Sequence, residues 1–327
     1  ELVKFIKKDK VKLIRLPVHS KNPLVILLNT LILIVYIFIF KINVVHARSR
    51  APAWSCYFAS IITRRAFVTT FHGTYNFKSN LKKFYNSIML RAKLTIAGSN
   101  FIFGHINENY SEYLTKEKKL RVIFRGINID YFNSKNISVL KQERLKQEWN
   151  LSSNKFTILL PGRLTYWKGQ EKFIESLNIL IEDYNVNNFQ AIILGSDQGR
   201  KVYTKKLVNL VQRYSLNKKV KFIEHCKEMP LAYSLADVVV SASIEPESFG
   251  RVSVEAQSMG KPIIASNIGG SKETIVNKKT GILYKYDDPR ELAKSLNTVI
   301  QLSPDELKSL GNEGRKNITK KFDVETM

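Results

Sequence analysis

The chain has 327 residues, 44% of them hydrophobic, which is enough to fill the cores of two α/β domains. Its two cysteines, Cys56 and Cys226, are far apart and form no CxxC pair, so neither a disulfide framework nor a structural zinc site is indicated, and a reducing cytoplasm fits best. A formal net charge of +24 fits nucleic acid, an anionic membrane surface or phosphorylated small molecules as partners, and equally fits lysines scattered over every solvated face.

The longest apolar segment, residues 23–40, lies between two lysines. Its length is at the lower limit for a membrane-spanning helix, and Asn29 and Thr30 interrupt it. The pattern therefore favours a helix that covers one face of a sheet, or one that docks in the membrane interface, over a helix that spans the membrane. No signal peptide is readable at the start of the chain.

Short apolar runs, each followed by a polar loop and a longer helical stretch, are typical of parallel sheets with crossover helices. The predicted strands of the first half are 11–16, 42–45, 66–71, 94–97 and 121–124. Those of the second half are 156–160, 190–194, 220–223, 237–240, 262–265 and 281–284. A polar stretch with a helical centre, residues 133–154, connects the halves. We therefore expect two doubly wound, Rossmann-like domains, residues 1–145 and 146–327.

Ligands of doubly wound folds bind at the carboxyl ends of the strands, so the loops there carry the candidate chemistry. The most informative stretch is residues 241–270, SASIEPESFGRVSVEAQSMGKPIIASNIGG. A helix is predicted to begin after Gly250, and Gly260 and Pro262 end it. The free N–H groups at its start form an anion site suited to a diphosphate.

Two glutamates flank the start of this helix. Glu247 precedes it and Glu255 lies inside it. Carboxylates accept strong hydrogen bonds from sugar hydroxyls, so both together can hold separate parts of one hydroxyl-rich ligand. Either acid alone would fit equally well as a favourable charge near the helix dipole or as half of a surface ion pair.

The same stretch resembles the retaining glycosyltransferases of family 4, which have the GT-B fold of two Rossmann-like domains facing across a cleft. Their signature of two glutamates separated by seven residues corresponds to EPESFGRVSVEAQSMGKPIIAS. The similarity continues through VTTFHG, AGSN, FRGINIDYF, LLPGRLTYWKGQ, NIGGSKETI and KKTGILY. HARSRAPAWS is most similar to members assigned to lipopolysaccharide-core assembly. The family's Gly-rich loop after its first strand has no counterpart, so the first domain is expected to lack its first strand.

The resemblance implies a donor site around this helix. Glu247 would hold hydroxyls of the donor sugar, and Glu255 would hold the ribose hydroxyls. The backbone of Phe249 and Gly250 would approach the sugar closely, which favours glycine there. The first helical residues, Arg251 and Val252, complete the expected donor-binding set.

Further residues are assigned to catalysis with Glu247. Arg163 and Lys168, in PGRLTYWKGQ, match the family's diphosphate-binding pair, and fixed cations stabilise the charge that develops on a leaving diphosphate. They would equally fit as two ordinary surface cations. His72 ends a strand of the first domain and, by the resemblance, would lie beside the donor sugar and the reacting carbon. A lone histidine is otherwise more often structural.

Acceptor-side candidates come from loops of the first domain. Arg48 and Arg50 follow the second predicted strand and would bind a phosphate or carboxylate of the acceptor, or else face solvent. Thr74 follows His72 and joins this set. His46 is a candidate for bracing the loop.

Several motifs are absent from the sequence: GxxxxGK[ST], HExxH, GxSxG, CxxC and a strand-end Asp-x-Asp. No cofactor and no essential metal are therefore expected. Binding of nucleic acid is also not expected, because clustered basic residues interleaved with aromatics and a recognition helix are missing.

The resemblance implies transfer of a sugar, with retention, from a nucleotide-sugar donor to a glycan or lipid-linked acceptor. The expected setting is lipopolysaccharide or other cell-surface glycan synthesis in the cytoplasm, at the inner face of a bacterial inner membrane with peripheral membrane contact. Two alternatives remain: a nucleotide-sugar epimerase or phosphorylase of the same fold, and an inactive membrane-associated scaffold.

Overall fold

A computed structural model describes residues 11–114 and 119–327. These residues form two compact units. The first holds the described residues up to Gly98 and those from Ile102 to Val122, and the second holds Ser99–Phe101 and the residues from Ile123 onward. Each unit is a parallel sheet with crossover helices, which confirms the predicted α/β class with two Rossmann-like domains.

The first unit is built on strands β1 Val44–Ala47, β2 Ala66–Phe71, β3 Leu94–Ala97 and β4 Lys119–Val122. They pair in parallel in the order β1-β2-β3-β4. Its helices are α1 Pro23–Ile39, α2 Arg50–Thr63, α3 Asn80–Ser87 and α4 Asn100–Tyr110, with 3₁₀ turns at Ile88–Leu90 and Ser111–Tyr113. The first two residues of α4 cluster with the second unit.

The predicted strand at residues 11–16 is wrong. The segment is irregular, and Val11, Leu13 and Ile14 are 53%, 46% and 37% exposed. Alternating apolar residues form a strand only where a neighbouring strand completes their hydrogen bonds. In the described part of the chain the first sheet ends at β1, and this segment does not extend it.

Helix α1 occupies the predicted apolar segment. Asn22 caps its start, because the side-chain oxygen accepts a hydrogen bond of 2.9 Å from the N–H of Leu24, and Pro23 takes the first helical position. Thr30, one of the two polar interruptions, is buried and donates its hydroxyl to the carbonyl of Ile26 at 2.8 Å. Among the described residues, no helix has both the length and the apolar character that a membrane crossing needs.

The second unit is built on strands β5 Phe156–Pro161, β6 Phe189–Leu194, β7 Val220–Ile223, β8 Val238–Ser241, β9 Ile263–Ser266 and β10 Ile282–Tyr284. Its helices are α5 Val139–Glu148, α6 Gln170–Glu182, α7 Lys201–Arg213, α8 Met229–Ser234, α9 Arg251–Ser258, α10 Ser271–Thr274, α11 Pro289–Ile300 and α12 Pro304–Lys321. Turns of 3₁₀ helix lie at Ser134–Asn136, Tyr166–Lys168 and Val324–Thr326.

The second sheet is parallel in the order β10-β9-β8-β5-β6-β7. Its central strands are buried on both faces. Leu159 belongs to the apolar core on one face, whereas Ile158 and Leu160 belong to the core on the other. Strands covered on both faces read as continuous apolar runs, which is why their existence was predictable from sequence.

The predicted connector, residues 133–154, lies in the second unit. Its helical centre is α5, as expected. Trp149 at the end of α5 is 5% exposed and belongs to the core of that unit, and Ile137 and Leu145 pack against the same core. The stretch is therefore a packed part of the second unit.

Candidate functional site

The order in which the chain adds strands to the second sheet reverses between β5 and β8. From β5 the chain adds β6 and β7 on one side, then returns to place β8 on the other side, followed by β9 and β10. Leu159 of β5 lies opposite Val239 of β8, so the loops that follow these strands leave the sheet side by side. Such a switch point is where doubly wound sheets bind ligands.

The two loops are packed against each other. Gly169, which ends the loop after β5, has φ +70°, and a Cβ atom there would lie 1.8 Å from the carbonyl oxygen of Ala242. The N–H of Ile244 donates to the carbonyl of Trp167 at 2.9 Å. Because of this close approach only glycine fits at position 169. The backbone contacts between the two loops fix the positions of their side chains relative to one another.

Lys168 and Glu247 meet at this junction. The ammonium nitrogen of Lys168 lies 2.7 Å from Oε1 of Glu247, and the two side chains are 12% and 11% exposed. Ser243 donates its hydroxyl to the same carboxylate oxygen at 2.5 Å. Charge-assisted hydrogen bonds shielded from water are strong and fix orientation, so this carboxylate is presented in one direction.

Arg163 lies in the loop after β5, beside the same tryptophan as Lys168. The guanidinium carbon is 5.7 Å from the centre of the Trp167 ring, and the ammonium of Lys168 is 4.6 Å from it. In the described residues no carboxylate lies within ion-pair distance of Arg163. Its charge is therefore available to an anionic ligand.

Helix α9 starts directly after this loop. Gly250 is its N-cap, with φ +80°, and contributes no capping side chain, so the first N–H groups of the helix remain available to an anion. Phe249 as a whole is only 2% exposed, and its ring packs 5.5 Å from the ring of Phe322. Val252 is 9% exposed.

Glu255 is held on both oxygens. Arg251 donates to Oε1 from Nε at 3.1 Å and from Nη2 at 2.7 Å, and Tyr233 donates to Oε2 at 2.8 Å. Tyr233 is fully buried, and this burial, with the nearby charge of Glu255, raises the pKa of its phenol well above the ordinary value. The phenol therefore stays protonated and donates to the carboxylate.

A cavity of about 250 Å³ lies beside part of this set of residues. Its wall includes Arg163, Tyr233, Val252 and Glu255, together with Cys226 from the loop after β7. Burial raises the pKa of the Cys226 thiol, so it is neutral near pH 7. A larger cavity of about 790 Å³ lies among β10, α11 and α12. We assign the smaller one as the candidate site, because it lies at the switch point and is lined by three of the predicted residues, Arg163, Val252 and Glu255.

The first unit carries a second polar cluster at the ends of β1 and β2. The Nε of Arg48 donates to Nε2 of His72 at 2.9 Å, and the Nε2 of His46 lies 2.8 Å from the hydroxyl of Thr70. Burial, and to a smaller degree the charge of Arg48, lowers the pKa of His46. Thr70 lies within strand β2, so this contact joins His46 to the neighbouring strand.

Arg50 is tied into the first unit. Its Nη1 donates to Oδ1 of Asn86 at 2.8 Å, and its guanidinium carbon lies 4.5 Å from the centre of the Tyr75 ring. Asn86 is fully buried and also donates to the carbonyl of Tyr75 and to the hydroxyl of Tyr110. Arg50 therefore has a clear structural role, whereas Arg48 is exposed. Thr74 is half-buried in the loop between Gly73 and Tyr75.

The structure thus brings together Arg163, Lys168, Glu247, Gly250 and Glu255 within the second unit. It places Arg48, Arg50, His72 and Thr74 in the first unit. The polar partners Ser243, Tyr233 and Asn86 were missed from sequence. Tyr233 and Asn86 lie outside every motif, whereas Ser243 lies in the stretch 241–270, where only its position beside Glu247 could have indicated it. In the part of the chain that the structure describes, no group of three or more His, Cys, Asp or Glu side chains could hold a metal ion.

Two families of known sequences match the chain. Glycosyl transferases group 1 matches residues 141–317, more than half of the chain, and Glycosyltransferase Family 4 matches residues 7–131. Among curated proteins, the capsular polysaccharide biosynthesis glycosyltransferase CapM of Staphylococcus aureus is 28% identical over 217 residues, which cover 64% of this chain and 53% of CapM. The chain spans about half the length of the curated relatives it matches.

Solved structures agree with these families. A glycosyltransferase from Rickettsia africae is 36% identical with a TM-score of 0.89, and the match covers 99% of this chain and 84% of that protein. Anabaena HepE, solved in complex with UDP and glucose, is 25% identical with a TM-score of 0.80, over 92% of this chain and 78% of HepE. The fold is therefore GT-B, and the chain belongs to the glycosyl transferases group 1 family.

Proposed function

We propose that this protein is a retaining glycosyltransferase of the hexosyltransferase type. It moves a sugar from a nucleotide-sugar donor to a glycan or lipid-linked acceptor, in lipopolysaccharide or other cell-surface glycan synthesis. The observation that carries the proposal lies at the switch point of the second sheet. Two carboxylates, Glu247 and Glu255, are each held by an ion pair there, close to two cations and to a helix start whose N–H groups are not capped by a side chain. The UDP and glucose bound to HepE support a nucleotide-sugar as the donor. The role in capsular polysaccharide biosynthesis that the name of CapM states supports a setting in cell-surface glycan synthesis.

The donor fits the charges of the second unit. The start of α9, Arg163 and Lys168 offer positive charge to a diphosphate. Glu247 and Glu255 are each held by donors from the protein, which leaves fixed carboxylates to accept hydrogen bonds from sugar and ribose hydroxyls. We assign Glu247 to the sugar and Glu255 to the ribose, with the backbone of Phe249 and Gly250 and the adjacent Arg251 and Val252 completing the donor site.

The acceptor is assigned to Arg48, Arg50 and Thr74 of the first unit. Arg48 donates to His72, Thr74 follows His72 by two positions, and Arg50 donates to Asn86. His72 accepts a hydrogen bond from Arg48 at Nε2, so its ring is held in a defined orientation. In this proposal His72 lies beside the reacting carbon, and Arg48 contacts an anionic group of the acceptor.

Catalysis would come from positioning and charge stabilisation. The bond from the sugar to the diphosphate breaks, negative charge develops on the leaving oxygen, and Arg163 and Lys168 stabilise it. The acceptor hydroxyl attacks the oxocarbenium-like carbon from the same face, and its proton passes to the departing diphosphate. No metal and no cofactor are part of this scheme.

The site of action proposed is the cytoplasm, at the inner face of a bacterial inner membrane. Peripheral contact with that membrane would bring the protein to a lipid-linked acceptor.

The decisive test is ligand-induced thermal stabilisation of the full chain by a panel of nucleoside diphosphates and nucleotide-sugars. A ligand present at 100 times its Kd stabilises a protein by about 2.7 kcal/mol. We expect a selective rise in melting temperature with one nucleotide, which Glu255→Ala abolishes. Glu245→Ala is the matched control, because Glu245 is an exposed acid of the same loop. No rise with any nucleotide in the folded wild type would contradict the proposal.

Turnover assays separate the alternatives. Consumption of the nucleotide-sugar without an acceptor would indicate an epimerase, and consumption that requires inorganic phosphate would indicate a phosphorylase. Selective nucleotide binding without turnover on any acceptor panel would indicate an inactive scaffold.

A further inference from the structure

Helix α1 has one buried face and, opposite to it, one exposed apolar face. Asn29, Thr30 and Ile37 are buried against the first unit. On the other side, residues recurring every three or four positions form an outer face, and each is more than half exposed: Leu24, Leu27, Leu28, Leu31, Val35 and Phe38. An exposed helix face normally carries polar side chains, so this outer face is an interaction surface.

Helix α2 extends the outer face. Phe58, Ile61 and Ile62 are 42%, 56% and 62% exposed. The hydroxyl of Ser55 in α2 donates to the carbonyl of Ile26 in α1 at 3.2 Å, and the N–H of Ala66 after α2 donates to the carbonyl of Asn43 after α1. The two helices therefore lie side by side and in the same direction, and their apolar outer residues belong to one surface.

Cations border this surface at the helix ends. Lys21 precedes α1, Lys41 follows it, and Arg64 ends α2. The hydrogen bond from Ala66 to Asn43 brings the chain near Lys41 beside the chain near Arg64. Lysine and arginine at the rim of an apolar face are suited to membrane interfaces, because their long stems reach polar headgroups while the apolar face is buried.

The sequence around this surface is strongly cationic, and the ion pair of Lys83 with Glu112, at 2.6 Å, neutralises one of its cations. Residues 11–107 contain 13 Lys and Arg and no Asp or Glu. Negative charge on an occupant of the outer face is therefore favoured. A second copy of the chain would bring the same cationic surface and would be repelled. A bilayer with anionic headgroups supplies both an apolar layer and the opposite charge.

We propose that the outer face of α1 and α2 docks on an anionic phospholipid bilayer, with the apolar side chains at the headgroup boundary and Lys41 and Arg64 among the headgroups. This gives a defined surface and lipid chemistry to the membrane contact in the proposed function. It is testable without nucleotide or acceptor, so its failure is distinguishable from failure of the transferase proposal.

The test is co-sedimentation of the full chain with vesicles of phosphatidylcholine, with and without phosphatidylglycerol. The apolar variant is Leu27→Gln with Leu31→Gln. Its control is Val139→Gln with Leu140→Gln, in the second unit, where the side chains are 73% and 62% exposed, compared with 57% for Leu27 and 54% for Leu31. We expect the wild type to bind only the anionic vesicles, the apolar variant to bind on the order of ten-fold more weakly, and the control to bind normally.

The charge variant is Lys41→Asn with Arg64→Asn. Both positions have left-handed backbone, φ +48° and +54°, and asparagine tolerates that conformation, so the helix ends should persist. Lys278→Asn, at φ +63° in the second unit, is the control. We expect the charge variant to bind the anionic vesicles about ten-fold more weakly than the wild type, and its control to bind them normally. If the apolar variant has a lower melting temperature than the wild type, its weaker binding would be explained by loss of structure. The test of the docking surface then rests on the charge variant.

Three outcomes would overturn the proposal: equal binding of the wild type to neutral vesicles, binding to neither kind, and a self-association in ultracentrifugation that the apolar variant abolishes. The last would assign the surface to a second copy.

Discussion

Lys168 and Glu247 lie 79 positions apart in the chain, yet the lysine ammonium is 2.7 Å from the glutamate carboxylate at the junction of two strand-end loops. The pairing follows from the sheet order, because β5 and β8 are direct neighbours although β6 and β7 separate them in sequence. Each residue orients the other, so a sugar and a diphosphate arriving at this junction would meet groups that are already positioned.

Replacement of Lys168 by alanine should slow sugar transfer more than it weakens donor binding. Loss of one group that stabilises charge on a leaving oxygen costs on the order of 10²- to 10³-fold in kcat. The measurement is steady-state release of nucleoside diphosphate, with donor affinity determined separately by calorimetry. Lys172→Ala is the control, because Lys172 pairs with Glu175 and Asp287 in the same region. Equal rates for both variants would remove Lys168 from the assigned site.

Tyr233→Phe should destabilise the fold and weaken donor binding modestly. The buried phenol donates to Glu255, and loss of a hydrogen bond to a charged group costs about 1.5–3 kcal/mol. The pKa of Tyr233 is raised in the folded state, so the stability it contributes is fully present below the unfolded pKa of about 10 and is lost progressively as the pH rises from there through the folded pKa.

Urea unfolding at pH 7.5 and above pH 10 tests this, with Tyr166→Phe as the control because Tyr166 is 63% exposed. If Tyr233→Phe and the wild type have the same free energy of unfolding at pH 7.5, the hydrogen bond from the phenol to Glu255 does not stabilise the fold.

Gly169→Ala should be far more destabilising than Gly199→Ala. Both glycines have left-handed backbone, φ +70° and +84°, so both substitutions carry the backbone penalty of about 1 kcal/mol. Only at position 169 does the added Cβ meet backbone, 1.8 Å from the carbonyl of Ala242, whereas nothing lies within 4 Å at position 199. We expect an additional loss of about 2 kcal/mol or more, measured by urea unfolding. Similar losses in both variants would mean that the two loops separate at little cost.

Arg48→Ala and Arg50→Ala should have different consequences. Arg50 contacts buried Asn86 and the Tyr75 ring, so its removal should lower the melting temperature. Arg48 is exposed and donates to His72, so its removal should raise the acceptor KM with little change in melting temperature. Thermal unfolding and acceptor titration of both variants separate these effects. A melting temperature that falls equally in both would assign Arg48 a structural role.

The sequence was sufficient where local pattern decides the structure. The apolar runs of β2, β3 and β7 predicted those strands to the residue, and the loops around Lys168 and Glu247 were identifiable from their motifs. It was insufficient where tertiary contacts decide. The apolar residues at 11–16 read as a strand, but strand formation depends on a neighbour that no local pattern reveals. Likewise, nothing near Arg50 in sequence indicates its contact with Asn86, 36 positions away.

The order of elements along the chain bears on how the protein is made. Helix α1 is synthesised before α2, and the two pack together only after α2 and β2 have emerged. Until then the nascent chain presents 17 nearly continuous apolar residues from Pro23 to Ile39, with neither face sheltered by α2. Such a segment is prone to aggregation during synthesis. Production of soluble protein should therefore depend on chaperone capacity and on slow translation, and should improve when the outer face is made polar.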